Sequence, residues 1–438
     1  MLLTRTRVFC PDCGDYHLGE VVVRNGAVIG ITHCGAVDRE HLISSDAEMY
    51  LRIRRRSTVD AAAPPPQHLK FFLNFIAITN ACNFKCAVCA AHEPGEEGNR
   101  FLSVDEVVRR AQAAWRGGAR ILHLIGGEPT MHPELTTIVA RLSRMGLRLA
   151  MASNGYRLGR EPQLARSLKQ AGLRRVCLQF DSLDEATLQN LHRARLAEKL
   201  AAVRNTLDAG LNLGFNAIVT RQNLAELPRL LEHHLQFGPR VKHMMFTAAA
   251  PVGRFEVPAS EAVDREKMVA SLLEIGPKYG FGIDDVFPLP TYHPWGLEVH
   301  PDCGVNIILV RTPEGVQALN RFIDLPAAYR RLAAAKDGEG VYARMLRPIL
   351  CAATAARAGR RRKMLGLALR MLAGSPKVSL VNVGIADYRA AMFLDEQRLS
   401  RCSSVCHTSI GPVLTCFHYF GGPHCPGSRM NEVLRGGC

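Results

Sequence analysis

The chain has 438 residues, 47% of them hydrophobic and 22% charged, which is enough apolar material for a full core and excludes intrinsic disorder and small disulfide-stapled scaffolds. Lysine and arginine number 55 against 40 aspartate and glutamate, a formal charge of +15 that points to an anionic partner such as nucleic acid, a phosphate-bearing substrate or lipid headgroups. No apolar run reaches the roughly 18–20 residues of a bilayer span and the opening MLLTRTRVFCPDC lacks the apolar stretch of a secretory signal, so the chain reads as cytoplasmic and its 14 cysteines as reduced thiols open to metals or catalysis.

In chain order, residues 1–50 carry Cys10-Pro-Asp-Cys13, the alternating run GEVVVRNGAVIGIT with Asn25-Gly26 as a hairpin turn, and His33-Cys34. This predicts a small β unit with metal-ligand spacing. A basic, proline-rich linker is read over 51–69, from Arg52, Arg54, Arg55 and Arg56 and from AAAPPP, which cannot continue a helix or a central strand. From 70 to 250, the apolar runs FFLNFIAIT, ILHLIG, LRLAMAS, RVCLQF, LNLGFNAIV and HMMFTAA alternate with helical stretches, the first opening on a capping box from Ser103 to Glu106. Repeated βα units of this kind build a parallel sheet or a partial barrel.

From 251 to 438 the pattern is irregular, with proline-rich VFPLPTYHPWG, apolar runs around 306 and 317, and a helix-like stretch at 326–350. At 357–374, RAGRRRKMLGLALRMLAG joins Arg360, Arg361, Arg362 and Lys363 to an apolar stretch too short to span. It suits either peripheral contact with an anionic membrane surface or a solvated helix packing one face on the core.

The chemistry begins after the first barrel strand, where Cys82, Cys86 and Cys89 form a CxxxCxxC loop. Three soft thiolates at this spacing suit an iron–sulfur cluster whose fourth iron stays open; a zinc site completed by His92 is the alternative. At the next strand end stands Gly126-Gly127-Glu128-Pro129-Thr130, where consecutive glycines admit close backbone approach and the carboxylate can accept from an amine. Ser153-Asn154-Gly155, Gln179-Phe180-Asp181, and Asn216 with Thr220 follow at later strand ends, where barrel active sites lie. Any one of these taken singly also reads as turn chemistry or a cap.

The two motifs together resemble the radical S-adenosylmethionine (SAM) superfamily. The resemblance implies an α/β fold built on a partial (β/α)6 barrel, together with the small N-terminal metal-binding β unit and a Cys-rich C-terminal extension. It implies a [4Fe–4S] cluster on Cys82, Cys86 and Cys89, SAM on the open iron, and Gly126, Gly127, Glu128 and Pro129 at the SAM amino group. Ser153, Asn154 and Asn216 fall to the cofactor, and Gln179 and Asp181 face the radical or the substrate. Val88 stands where the superfamily often has an aromatic residue.

Several phrases further resemble a narrower group, the archaeal tetraether lipid synthase and its methylase-like relatives: CPDC with Cys34, ITNACNFKCAVC, GGEPT, SNG, LQFD, HPDCG at 300–304, RFID at 321–324 and CSSVCHTSIGPVLTCFHY at 402–419. That resemblance implies at least one auxiliary [4Fe–4S] cluster, with Cys303, Cys402 and Cys416 as ligands and Cys406 or Cys425 completing it. It also implies a mononuclear iron or zinc at Cys10, Cys13 and Cys34, with His17, His33 or His41 as fourth ligand. No cysteine occurs in STVDAAAPPPQHLKFFL, where the group tends to carry an extra Cys-rich loop. Cys177 and Cys351 read as small core residues.

The implied activity is reductive cleavage of SAM and functionalisation of an unactivated C–H, with C–C bond formation on a lipid chain as the first reading. Radical methylation of a pterin-like heterocycle is the alternative of the same class. A nucleic-acid-binding or RNA-modifying protein is the alternative of another class, disfavoured by an aromatic content of 6%. The expected partners are a reductant such as ferredoxin or flavodoxin and a lipid or small-molecule substrate.

Overall fold

The computed structural model describes the chain apart from residues 11–12, 14, 36, 58–72, 93–97, 289–299, 301, 329–353, 358, 373–376, 388–392, 401, 403, 410 and 416–438. The run AAAPPP, most of the stretches 286–296 and 326–350, and Cys351, Cys416 and Cys425 lie outside the described residues.

The N-terminal strands β1 (Leu2–Cys10), β2 (Asp15–Arg24), β3 (Ala27–Cys34) and β4 (Val37–Ser44) form an antiparallel meander. Asn25 and Gly26 take φ of 51° and 76°, the two left-handed residues that a tight turn between twisted strands requires. Val8, Val21, Val28 and Ile43 pack on Ala47 and Tyr50 of helix Ala47–Arg54, whose N-cap Asp46 accepts from Met49 N. The arginines read as linker serve this joint: Arg54 lies on that helix and pairs with Asp302 at 3.3 Å, while Arg56 pairs with Asp284 at 2.8 Å.

The centre of the molecule is built from β5 (Leu73–Thr79), the two-residue β6 (Val88–Cys89), β7 (Ile121–Gly126), β8 (Arg148–Ser153), β9 (Leu173–Gln179), β10 (Asn212–Val219) and β11 (Val241–Ala248). Without β6 these six strands run parallel in the order β5-β7-β8-β9-β10-β11, the partial barrel expected from the resemblance. Helices cover its outer face because each carries an apolar stripe at helical spacing; Val104, Val107, Val108 and Ala111 of helix Val104–Arg116 are buried in the main core. Ser103 caps this helix by accepting from Glu106 N, but the Glu106 carboxylate turns to Arg109 and Arg110, so only half of the expected capping box is made.

The later strands are β12 (Arg254–Phe255), β13 (Val305–Thr312), β14 (Gly315–Ala318), β15 (Ser379–Asp387), β16 (Leu394–Asp395), β17 (Ser404–Thr408) and β18 (Gly411–Leu414). They extend the central sheet at both edges: β15 lies parallel to β11 and is followed by β13 and β14, while β17 lies parallel to β5 and pairs with β18. The result is an eleven-stranded sheet, and β16 separately joins the N-terminal sheet by pairing with β1. At this junction Tyr50 donates to Asp302 at 2.8 Å and buried Arg265 pairs with Glu266 at 2.6 Å, so these two buried pairs offset part of the cost of leaving water. No helix among the described residues is long and apolar enough to cross a membrane.

Buried histidines make this core sensitive to acid. Burial, with Arg175 nearby, pushes His123 from its ordinary 6.5 down to about 3, so between these values the unfolded chain binds a proton that the folded chain refuses. Stability therefore falls as pH drops below 6.5 toward 3, and is unaffected by this group above 6.5. A denaturant titration at pH 5 should read about 2 kcal/mol less from His123 than at pH 7, and His123→Leu should remove that share.

Candidate functional site

The CxxxCxxC loop leaves the C-terminal end of β5, with Cys82 exposed, Cys86 buried and Cys89 half-buried. The three thiols are not all within 4.8 Å of one another. A single tetrahedral zinc ion would hold its thiolates about 3.8 Å apart, so the loop fits a multi-iron cluster better. His92 lies 3.3 Å from Arg254 through Nδ1.

This loop has few apolar side chains of its own and is held through its backbone. Gly127 N donates to Thr79 O at 2.8 Å and Glu128 N to Ala81 O at 2.7 Å. A Cβ on Gly126 (φ 145°) would stand 2.1 Å from Thr79 O, and one on Gly127 would stand 2.4 Å from Asn80 O and Ala81 O. Only glycine permits such an approach. From the other side Ala87 N donates to Leu191 O and accepts through its carbonyl from Glu256 N, while β12 pairs with β6. Gly253, with φ of 63°, would place a Cβ 2.3 Å from Cys89 O.

Glu128 is buried and fully engaged. Oε1 accepts from Thr130 N (3.1 Å), Thr130 Oγ1 (2.6 Å) and Ser153 Oγ (2.9 Å), and Oε2 from Asn154 N (2.7 Å). Burial pushes its pKa up while these bonds oppose the shift. Asn154 Nδ2 in turn donates to Asn83 Oδ1 at 2.8 Å, linking the end of β8 to the Cys loop.

A cavity of about 720 Å³ opens here and collects most of the expected residues: Cys82, Cys86 and Cys89, Gly126 to Pro129, Ser153 and Asn154, Gln179 and Asn216. Phe75, His123 and Cys177 also line it, so Cys177 faces the cavity wall as well as the core. Asn216 Oδ1 is buried without a hydrogen bond among the described residues.

Asp181 does not reach the wall. It is fully buried, accepts from Ile218 N at 2.7 Å and pairs with Arg193 Nε at 3.1 Å, so it acts through that arginine. Arg193 donates to Val88 O at 3.1 Å, contacts the Cys86 sulfur and lines the cavity; with its amide oxygen turned toward the guanidinium, Gln179 accepts from it. Beneath lies Lys199, whose Nζ donates to Gln179 O at 2.8 Å and which burial pushes down to about 8. Sequence reasoning missed both cations because HRAR and AEKL carry no motif signal; their function is visible only once β9 and the following turn face the loop. Thr220 caps helix Arg221–Leu224 and Asn223 bonds back to it, which is turn chemistry.

Three further cysteines named above fall among the described residues. Cys303 lies in the turn after His300, Cys402 packs beside Phe9, Tyr16 and Leu399, and Cys406 on β17 stands 3.9 Å from Thr415, itself on the cavity wall. Among the described residues these three form no group with single-ion spacing. Cys10, Cys13 and Cys34 do form one, with all sulfurs within 4.8 Å. Cys13 and Cys34 are 3.7 Å apart, and His17 Nε2 lies 2.9 Å from Cys13 and 3.4 Å from Cys34. The three sulfurs suit a zinc or iron site, and His17 is the histidine that stands beside two of them, Cys13 and Cys34. Of the three candidate histidines, His33 instead pairs with Asp38 at 2.7 Å and His41 lies against the Phe393 ring.

Residues 76–234 match the radical SAM superfamily, and the chain carries a radical SAM domain, the class whose members use a [4Fe–4S] cluster and SAM. Within that class it is similar to a "Probable GTP 3',8-cyclase" of Sulfolobus acidocaldarius, 36% identical over 152 residues that cover 34% of this chain and 47% of that protein. It is also similar to a GTP 3',8-cyclase of Klebsiella pneumoniae, 34% identical over 170 residues that cover 38% of this chain and 49% of the other. The chain thus spans about half the length of the curated relatives it matches. Among solved structures, methylornithine synthase aligns with a TM-score of 0.40 at 15% identity, covering 53% of this chain and 68% of that one. The Streptococcus suis SuiB structure with bound S-adenosylmethionine aligns with a TM-score of 0.40 at 14% identity, covering 48% and 49%.

Asp181→Asn should strand a buried guanidinium and lower stability by about 3–5 kcal/mol, read by denaturant unfolding. His17→Ala should weaken metal retention at the N-terminal site at least about tenfold in chelator competition, with His33→Ala and His41→Ala unchanged.

Proposed function

We propose that this chain is an enzyme that cleaves SAM reductively and uses the resulting radical to functionalise a C–H bond of a substrate held in the barrel. The observation that carries the reading is that the three loop cysteines, the GGE segment, Ser153-Asn154 and Gln179 border one cavity. When bound, a [4Fe–4S] cluster on Cys82, Cys86 and Cys89 with SAM on its open iron supplies one-electron cleavage to a 5′-deoxyadenosyl radical.

The chain's own residues hold and shield that chemistry. Arg193 places a fixed positive charge beside Cys86 and offers hydrogen bonds toward the cavity. Glu128, occupied by four donors, orients Ser153 and Asn154 as the wall on which SAM would lie. Asn216, whose side-chain oxygen has no hydrogen bond among the described residues, is set to accept one from cofactor or substrate. The barrel walls limit water around a reactive radical.

For the substrate, the first reading is C–C bond formation on a lipid chain. It is supported by the phrases resembling the tetraether lipid synthase group and by Phe75, Ile125, Ala152 and Cys177 along the cavity. In this reading an auxiliary cluster that includes Cys303, Cys402, Cys406, Cys416 or Cys425 takes part, and a ferredoxin or flavodoxin supplies electrons. The second reading, a purine- or pterin-like heterocycle, is favoured by the printed names of the GTP 3',8-cyclase relatives.

Anaerobic reconstitution followed by dithionite, SAM and either a lipid extract or GTP tests this. 5′-Deoxyadenosine stimulated by lipid, with a lipid mass lowered by lost hydrogens, is the expected result; a GTP-derived product would favour the second reading, and S-adenosylhomocysteine with a methylene mass gain would mean methylation. Replacing Cys82, Cys86 and Cys89 together by alanine should remove about four irons per chain and reduce 5′-deoxyadenosine to background.

A further inference from the structure

A second cavity lies on the outer surface of the C-terminal region, far in sequence from the Cys loop. It measures about 590 Å³ and is lined by Arg321, Arg357, Arg360 and Lys363, with Asp285 as the acidic residue on its wall. Arg357 is held toward it by donating to Asn320 O at 2.6 Å, and Lys363 also reaches Glu314 at 2.6 Å. The cations outnumber the carboxylates that face them, so the cavity favours an anion.

The helix that begins at this cavity, Arg361–Leu372, has two unlike faces. Met364, Leu367 and Ala368 are buried, with Met364 and Leu367 packed among Phe322, Ile323 and Val378. On the opposite side Leu365 and Leu369, one turn apart, are 49% and 55% exposed, beside exposed Arg362, Lys363 and Arg370. Two adjacent leucines left in water next to a cationic cavity roomy enough for headgroup phosphates are a combination that an aqueous surface alone does not reward.

We propose that this face docks on an anionic bilayer, with headgroup phosphates in the cavity of Arg321, Arg357, Arg360 and Lys363 and with Leu365 and Leu369 entering the acyl boundary. Charge complementarity commits the occupant: basic side chains and an apolar pair on one helix face match the two layers of a lipid surface. The proposal rests on this outer face and not on the radical chemistry, so SAM cleavage in the absence of vesicles reports on the one and leaves the other untouched.

Flotation of the full chain with phosphatidylcholine vesicles, with and without phosphatidylglycerol, tests it. Binding is expected only to the anionic vesicles and should fall as salt rises. Arg360→Gln and Arg362→Gln should each weaken it about fivefold, and Leu365→Ser with Leu369→Ser at least about tenfold, with thermal melting unchanged because all four side chains are exposed. No flotation with phosphatidylglycerol would overturn the proposal. So would Leu365→Ser/Leu369→Ser binding equal to the parent together with full competition by inorganic phosphate, which would mean a soluble phosphate site. Tighter binding to RNA through the same arginines, or a dimer abolished by the leucine changes, would assign the face to those partners instead.

Discussion

The site depends on a backbone interaction: the close approach of Gly126 and Gly127 to Thr79, Asn80 and Ala81. A loop that must present three thiols to a common centre forms no regular ladder of its own, so its peptide groups need partners from elsewhere. The end of β7 provides them, and no residue larger than glycine could stand where it does so. The Glu128 carboxylate then carries the same restraint onward to Thr130, Ser153 and Asn154, so that three strand ends share one geometry. The motif GGE is thus in the first place a clamp, and whatever SAM gains from it is gained on a surface already fixed.

Charge buried under the loop forms a second layer. Asp181 pairs with Arg193, Gln179 accepts from both Arg193 and Lys199, and Arg193 is the member that emerges beside Cys86. An unpaired guanidinium at that depth would be costly, so Asp181 matters to the site without touching the cavity. A carboxylate at a barrel strand end can therefore serve by fixing the group that does face the ligand.

The C-terminal region completes the molecule by joining the barrel rather than standing beside it. Strands β15 and β17 flank β11 and β5, at opposite ends of the six-stranded run, and β16 ties the N-terminal sheet to the same segment. Cys406 consequently sits on the strand next to β5, close to a cavity residue, although more than 300 residues separate it from the Cys loop.

Much of this was legible in the chain alone, where short-range chemistry decides it. Asn25-Gly26 demanded a left-handed turn, the six apolar runs demanded parallel strands, and CxxxCxxC followed by GGE marked a cluster loop and a cofactor segment, while the role of the glycines as a clamp on the loop came only with the structure. The CPDC pair with Cys34 marked a metal site, but choosing His17 over His33 and His41 required the pairing of β1, β2 and β3, since ligand distance is a property of strand register. Arg193 and Lys199 gave no local signal at all, because a cation acquires its role from what surrounds it after folding. The two faces of helix Arg361–Leu372 were foreseeable as a pattern, yet which leucines stay in water depended on packing against Phe322 and Val378. The sequence by itself determined the elements and the reactive groups, through steric and ligand chemistry within a few residues; tertiary structure alone decided which distant groups meet, because burial and pairing belong to the assembled sheet.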